Sequence, residues 1–194
     1  MVEDLGALDD ALVRRCVSGE RAAWRTLHAR YYRTMAAFLL RLGLGPNELE
    51  DACQEVFVRA FRYLPGFRGE AELKTWLYRL CVTEARAARR RTWVSRNVLR
   101  RVRSEPPPAV TTGLDLTEQE ALRLVQRGLD ALKEHERLVF VLYELEGLSG
   151  KQVARIAGCP ENTVWRRLHY ARRAFCAIVG EGSLEPKRAS GGDP

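Results

Sequence analysis

Apolar residues recur along most of this chain at intervals of three and four, the spacing of one face of an α-helix, which predicts an all-α protein. The pattern is sharpest from Leu148 to Arg173. Ser149 can cap a helix, with Gln152 reaching back as a capping box and Leu148 facing Val153 as a hydrophobic staple. Gly158 ends that short helix by tolerating a left-handed backbone, and Pro160 opens the next at its first turn, where a missing N–H costs nothing. Two capped helices separated by a turn of three or so residues predict a helix-turn-helix. On the second helix Val164, Leu168, Ala171 and Phe175 form an inward stripe, while Asn162, Arg166, His169 and Arg173 lie opposite with Tyr170 to the side. Such side chains can donate hydrogen bonds to base edges and phosphates. An ordinary solvated basic face has the same composition.

Upstream, residues 1–8 form a loose lead-in, after which Asp9 or Asp10 can cap a helix carrying Leu12, Val13 and Cys16. A long helix follows from Glu20 to Leu42, its stripe running through Ala23, Leu27, Tyr31, Met35 and Phe38, with His28 beside it. Asn47 can cap a third helix that reaches Leu64. One face holds Leu49, Cys53, Val56, Phe57, Ala60, Phe61 and Leu64; the other holds Asp51, Gln54, Glu55, Val58 and Arg59. Val58, apolar among charges, hints at a partner. The loop Phe67-Arg68-Gly69-Glu70 leads to a helix from about Ala71 to Arg91. There Leu73, Trp76, Leu77 and Leu80 take one side, and Thr75, Arg79, Arg86 and Arg90 the other, with Tyr78 and Arg89 on one flank and Thr83 towards the other. Cations mixed with aromatics and hydroxyls suit a single nucleic-acid strand, although Trp76 in a core and solvated arginines would give the same string.

Residues 92–116 change character, from Arg96, Arg100, Arg101 and Arg103 into three consecutive prolines at 106–108, which deny helix and mark a linker. Thr117 and Glu120 can box-cap a further helix through Leu122, Val125, Leu129 and Leu132, and another carries Leu138 to Leu145. The expected organisation is a first domain over residues 1–92, a linker over 93–116, a second domain over 117–180 and a disordered tail over 181–194.

Composition sharpens the choice of partner. With 194 residues, a formal net charge of +7 and a pI near 9.5, the chain fits two small domains drawn towards polyanions. No basic stretch followed by an apolar segment opens it and no apolar run is long enough to span a bilayer, so a cytoplasmic protein without stable membrane insertion is expected. The 5 cysteines include no C-x-x-C pair, and four fall on apolar faces as small hydrophobes; Cys159, in the turn, is the only one that a redox role would suit, and packing is the commoner use of such a residue. His28, His135 and His169 are scattered, and no nucleophile elbow, phosphate-cradling glycine loop or carboxylate pair is present. No catalytic residue, metal site or cofactor is therefore expected.

Three stretches together resemble the bacterial sigma-70 family, in particular its two-domain extracytoplasmic function (ECF) group. They are Asp51-Ala52-Cys53-Gln54-Glu55-Val56-Phe57-Val58-Arg59-Ala60-Phe61, then Phe67-Arg68-Gly69-Glu70 leading to Thr75-Trp76-Leu77-Tyr78-Arg79-Leu80, and Glu144-Leu145-Glu146-Gly147-Leu148-Ser149 through the recognition helix. The resemblance implies that the helix containing Asp51, Gln54, Glu55 and Val58 docks on the clamp helices of core RNA polymerase. It implies that Phe67, Arg68, Trp76, Arg79, Thr83, Arg86 and Arg90 hold the non-template strand of the −10 element with one base flipped out, a step costing a few kcal/mol. It assigns the −35 duplex to Asn162, Thr163, Arg166, His169, Tyr170 and Arg173, and implies an anti-sigma factor, often membrane-bound, that holds the protein inactive. Two positions depart from the family pattern: Thr83 stands where asparagine is common, and Trp165-Arg166 where a basic residue and then serine are common. The other function compatible with these residues is a stand-alone helix-turn-helix regulator whose front domain dimerises or senses a ligand.

Overall fold

The computed structural model describes the backbone of residues 2–98 and 116–180, and side chains over residues 7–91 and 121–180. Among the described residues the chain forms eight α-helices and no strand. In order these are α1 (Val2–Val17), α2 (Arg21–Arg41), α3 (Pro46–Tyr63), α4 (Leu73–Val98), α5 (Leu116–Asp130), α6 (Glu134–Phe140), α7 (Gly150–Ala157) and α8 (Glu161–Val179). A 3-10 turn at Leu64–Gly66 follows α3, and a π-helical turn at Val141–Leu145 prolongs α6.

The front four helices pack on one another around Leu12, Leu27, Met35, Phe38, Val56 and Leu77, all buried. The rear four close over Leu129, Phe140, Val153, Val164, Leu168 and Phe175. Both groups hold most of the expected apolar stripes at their centres, because burying one stripe per helix is the main favourable term for an amphipathic segment, but Leu122 and Leu145, expected on the rear stripes, are exposed. The Trp24 indole joins α1 to α2 by donating to the Cys16 carbonyl at 3.0 Å. Cys16, Cys53 and Cys81 are buried in the front core, while Cys159 and Cys176 are half-buried.

Several boundaries differ from the sequence expectation. The first helix begins at Val2, so residues expected as a lead-in are helical, and Asp9 lies inside it. Asp9 caps nothing; it pairs with Arg30 at 2.7 Å and accepts from the Tyr31 hydroxyl, fastening α1 to α2. Helix α3 is capped by Gly45 with Pro46 at its first position, in place of Asn47, and the Glu48 carboxylate accepts from the Gly45 amide at 3.2 Å. Helix α4 runs on to Val98, since no glycine or proline interrupts residues 92–98, and takes in the start of the expected linker. The rest of that linker and the expected tail lie outside the described residues, as does the Thr117 side chain.

The two groups also touch each other. One side of α4 rests against α6 and α7, with Val82, Ala85 and Leu138 buried between them. The crevice left beside them measures only about 10 Å³.

Candidate nucleic-acid and partner interfaces

The helix-turn-helix forms as its local chemistry dictates. The Ser149 hydroxyl accepts from the Gln152 amide at 3.4 Å, and the Gln152 side chain accepts from the Ser149 amide at 2.8 Å, so both halves of the capping box are made. Gly158 has φ +68°, the left-handed conformation that ends α7 with its amide bonded to the Ala154 carbonyl. Three residues later α8 begins, with Pro160 at its cap position.

Helix α8 buries Val164, Leu168, Ala171 and Phe175 and turns Asn162, Arg166, His169, Tyr170 and Arg173 to solvent, with Thr163 half-buried. His169 and Tyr170 meet edge to face at 5.5 Å. Arg167 and Arg172 are occupied elsewhere: Arg167 donates to the Cys159 sulfur at 3.5 Å, and Arg172 to Glu144 at 2.6 Å over the Tyr143 ring. This division leaves Arg166 and Arg173 as the arginines of α8 that point outward. Trp165 stands edge-on to Tyr143 at 5.3 Å and covers Gly150, the first residue of α7.

Along the front domain the loop and α4 bring Phe67 and Trp76 together, ring centroids 5.5 Å apart and both half-buried. Arg68, Arg79, Thr83, Arg86 and Arg90 are exposed, Arg86 and Arg90 further along α4 from this pair than Arg79 and Thr83. The Thr83 hydroxyl donates to the Arg79 carbonyl one turn back at 2.9 Å, so its proton is spent inside the helix and its lone pairs and methyl face out. Two residues assigned to this side by periodicity are elsewhere: Thr75 and Tyr78 are buried, because α4 is packed on both the front core and α6–α7.

On α3, Asp51, Gln54, Glu55 and Val58 are exposed as expected. Gln54 and Val58 border a groove of about 490 Å³ between α2 and α3, lined also by His28, Tyr32, Glu50, Phe57 and Phe61. Phe61, expected in the core, is 63% exposed, and Phe57 is half-buried. On this edge the Trp24 and His28 rings of α2 lie against Phe61 and Phe57 at 4.8 and 4.5 Å, so both phenylalanines pack on aromatic rings at the rim of the α2–α3 pair and not in the core. The recurrence of Trp24, His28 and Tyr32 at every fourth position was the available signal for an aromatic edge on α2. No group of three or more metal-ligating side chains occurs among the described residues, and no helix of the described residues is long and apolar enough to cross a membrane.

Comparison with known proteins agrees with this layout. The Sigma-70 region 2 family model matches residues 27–105, and the Sigma-70, region 4 model matches residues 122–175. An ECF RNA polymerase sigma-E factor of Haemophilus influenzae is 33% identical, the match covering 92% of this chain and 96% of the relative. The ECF RNA polymerase sigma-E factor of Escherichia coli K12 is likewise 33% identical over 86% of this chain and 92% of its own. In fold the chain is similar to the sigma factor RpoE of Bartonella quintana, solved with the anti-sigma factor NepR (TM-score 0.67, 22% identity, 80% of this chain and 95% of that one). It is similar also to CnrH, solved with the cytosolic domain of CnrY (TM-score 0.63, 23% identity, 87% and 95%). These matches run through front and rear domains alike and do not favour a stand-alone regulator. The chain belongs to the sigma-70 family, in its ECF group of RNA polymerase sigma factors.

Proposed function

We propose that this sigma factor divides promoter recognition between its two exposed surfaces. The α2–α3 groove and the polar row Asp51, Gln54, Glu55 and Val58 dock on core RNA polymerase, a helical partner surface laying apolar side chains into the groove beside a polar rim. Phe67 and Trp76 offer ring faces to unstacked bases of the −10 strand, and Arg68, Arg79, Arg86 and Arg90 neutralise its phosphates. Thr83, presenting an acceptor in place of an asparagine amide, selects a base edge that carries a donor. In the major groove Arg166 grips a guanine and Arg173 a phosphate, with Asn162, Thr163, His169 and Tyr170 alongside. Bond making in RNA synthesis belongs to the polymerase; this chain supplies recognition and strand opening, in the cytoplasm, under the control of an anti-sigma factor of the kind bound by its structural neighbours.

One observation supports this assignment above the others. The same chain carries an outward basic recognition helix and, on its front domain, an apolar groove that the described residues leave unfilled. Run-off transcription from a genomic promoter library, with core enzyme plus and minus the chain, tests it. Transcripts that start only in its presence are expected; their absence at every site would refute it.

A further inference from the structure

The contacts between the front and rear domains are chemically specific. Glu146, at the end of the π-helical turn, has a side chain only 5% exposed although it carries an acid. It accepts from Arg41 of α2 at 2.7 Å and from the Tyr78 hydroxyl of α4, and Lys74 lies 3.6 Å away. A carboxylate removed from water is tolerated only when its lone pairs are filled, and here the donors all come from the other domain. Two helix ends are tied across the same boundary. Arg137 of α6 donates to the Leu42 carbonyl at the end of α2 at 3.5 Å, beside Arg89 of the front domain itself, and Arg86 of α4 donates to the Ala157 carbonyl at the end of α7 at 3.3 Å. Carbonyls at a helix C-terminus carry partial negative charge, so each attracts a guanidinium from across the boundary.

We propose that Glu146 is a latch that holds the two domains closed in the free chain and thereby withholds it from promoters. The inference rests on the promoter reading above. Elements centred at −10 and −35 are separated by about 25 base pairs, on the order of 85 Å of duplex at about 3.4 Å per pair. A closed body made of the described residues, 2–98 and 116–180, spans on the order of 40 Å, half that distance. The closed form therefore cannot engage both elements, and it commits Arg86, a −10 residue, to a protein carbonyl. Opening exchanges partners that water and polymerase can replace, because the boundary has a narrow apolar centre and a polar, charged rim. Core enzyme that binds the open form is the effector that shifts the equilibrium.

The full-length chain with Glu146→Gln, which keeps the shape and removes the charge, provides the test, with Arg41→Gln as a second variant on the solvent side of the same pair. Small-angle scattering at low salt needs no polymerase and reads the latch alone: both variants expand relative to the parent, and the double variant expands no more than either single one. Circular dichroism shows both retaining full helicity. Titration with core enzyme then shows a rise in apparent affinity of about three- to tenfold, the factor by which closure had depleted the competent form. If folded variants scatter like the parent, or if they expand without any gain for core, the latch is refuted. Should Glu146→Gln fail to fold, Arg41→Gln decides on the same readouts. Failure of the parent chain to bind core would instead count against the promoter reading.

Discussion

The indole of Trp165 covers the backbone of Gly150 so closely that a methyl group on that glycine would stand 2.5 Å from ring carbon Cζ2 and 2.9 Å from Cη2. The recognition helix is thus keyed to the first residue of α7 by the absence of a side chain. Replacing Gly150 with Ala is predicted to cost about 1–3 kcal/mol through overpacking. In a Trp165→Ala background the same change loses most of that cost, since the remaining close atom, the Glu161 Oε1 at 2.7 Å, is the movable end of a flexible side chain. Thermal unfolding of the four proteins of this cycle measures it, and an equal loss in both backgrounds would remove the contact as the cause.

Among the described residues no side-chain hydrogen bond or ion pair holds the exposed Arg166, unlike Arg167 and Arg172. Arg166→Ala is expected to lose about 1–3 kcal/mol against the preferred −35 sequence and far less against sites already mutated there. Binding measured on a panel of −35 variants distinguishes base reading from phosphate contact, which would weaken all sites alike.

The groove on α2–α3 gives a prediction that separates docking from stability. Val58 and Phe61 are 44% and 63% exposed, so Val58→Asp should leave the unfolding temperature nearly unchanged while weakening co-purification with core polymerase at least tenfold. Unchanged co-purification would detach this groove from the interface.

Inside the front domain Glu84 is 1% exposed and faces the Arg59 guanidinium, whose own side chain is 35% exposed. Arg59→Met leaves a buried carboxylate without its cation, and the expected loss of stability is about 2–4 kcal/mol. Restoring the match with Glu84→Leu in the same chain recovers most of it, as chemical denaturation can show.

Thiol chemistry follows burial. Desolvation pushes the Cys53 thiol up to about 11 and the Cys81 thiol well above its ordinary value, so neither forms thiolate near neutral pH. Alkylation at neutral pH followed by mass analysis should label Cys159 and Cys176 well before Cys16, Cys53 and Cys81, all of which become reactive on unfolding. A thiol whose folded value lies above its unfolded value of 9.0 favours the folded state fully below that value. The Cys53 contribution is then lost as pH rises through about 11, so stability declines across that window.

How much of this was legible in the chain depends on the range of the forces involved. The recognition helix could be read almost residue by residue, because caps, glycine turns and apolar stripes act within a few positions of one another. Ser149 with Gln152, Gly158, and the stripe from Val164 to Phe175 all take the predicted roles. Family resemblance, carried by three long stretches in order, supplied the function. The α3 cap was misplaced by two residues because asparagine, proline and glycine are all good start signals and their ranking at one site is set by how α2 and α3 join.

Tertiary structure alone decided which apolar residues stay outside and which polar ones go in. Phe61 and Tyr78 sit on helices with equally clear periodicity, yet the first packs on the Trp24 ring at the rim of the α2–α3 pair, and the second is buried because another domain closes over it. A helical wheel describes one helix against an unspecified neighbour, so a residue on the shoulder of the stripe has no assigned side until that neighbour is in place. Glu146 is the extreme case: its sequence context is a turn at the end of a helix, and its burial is stabilised by Arg41 and Tyr78, 105 and 68 positions away.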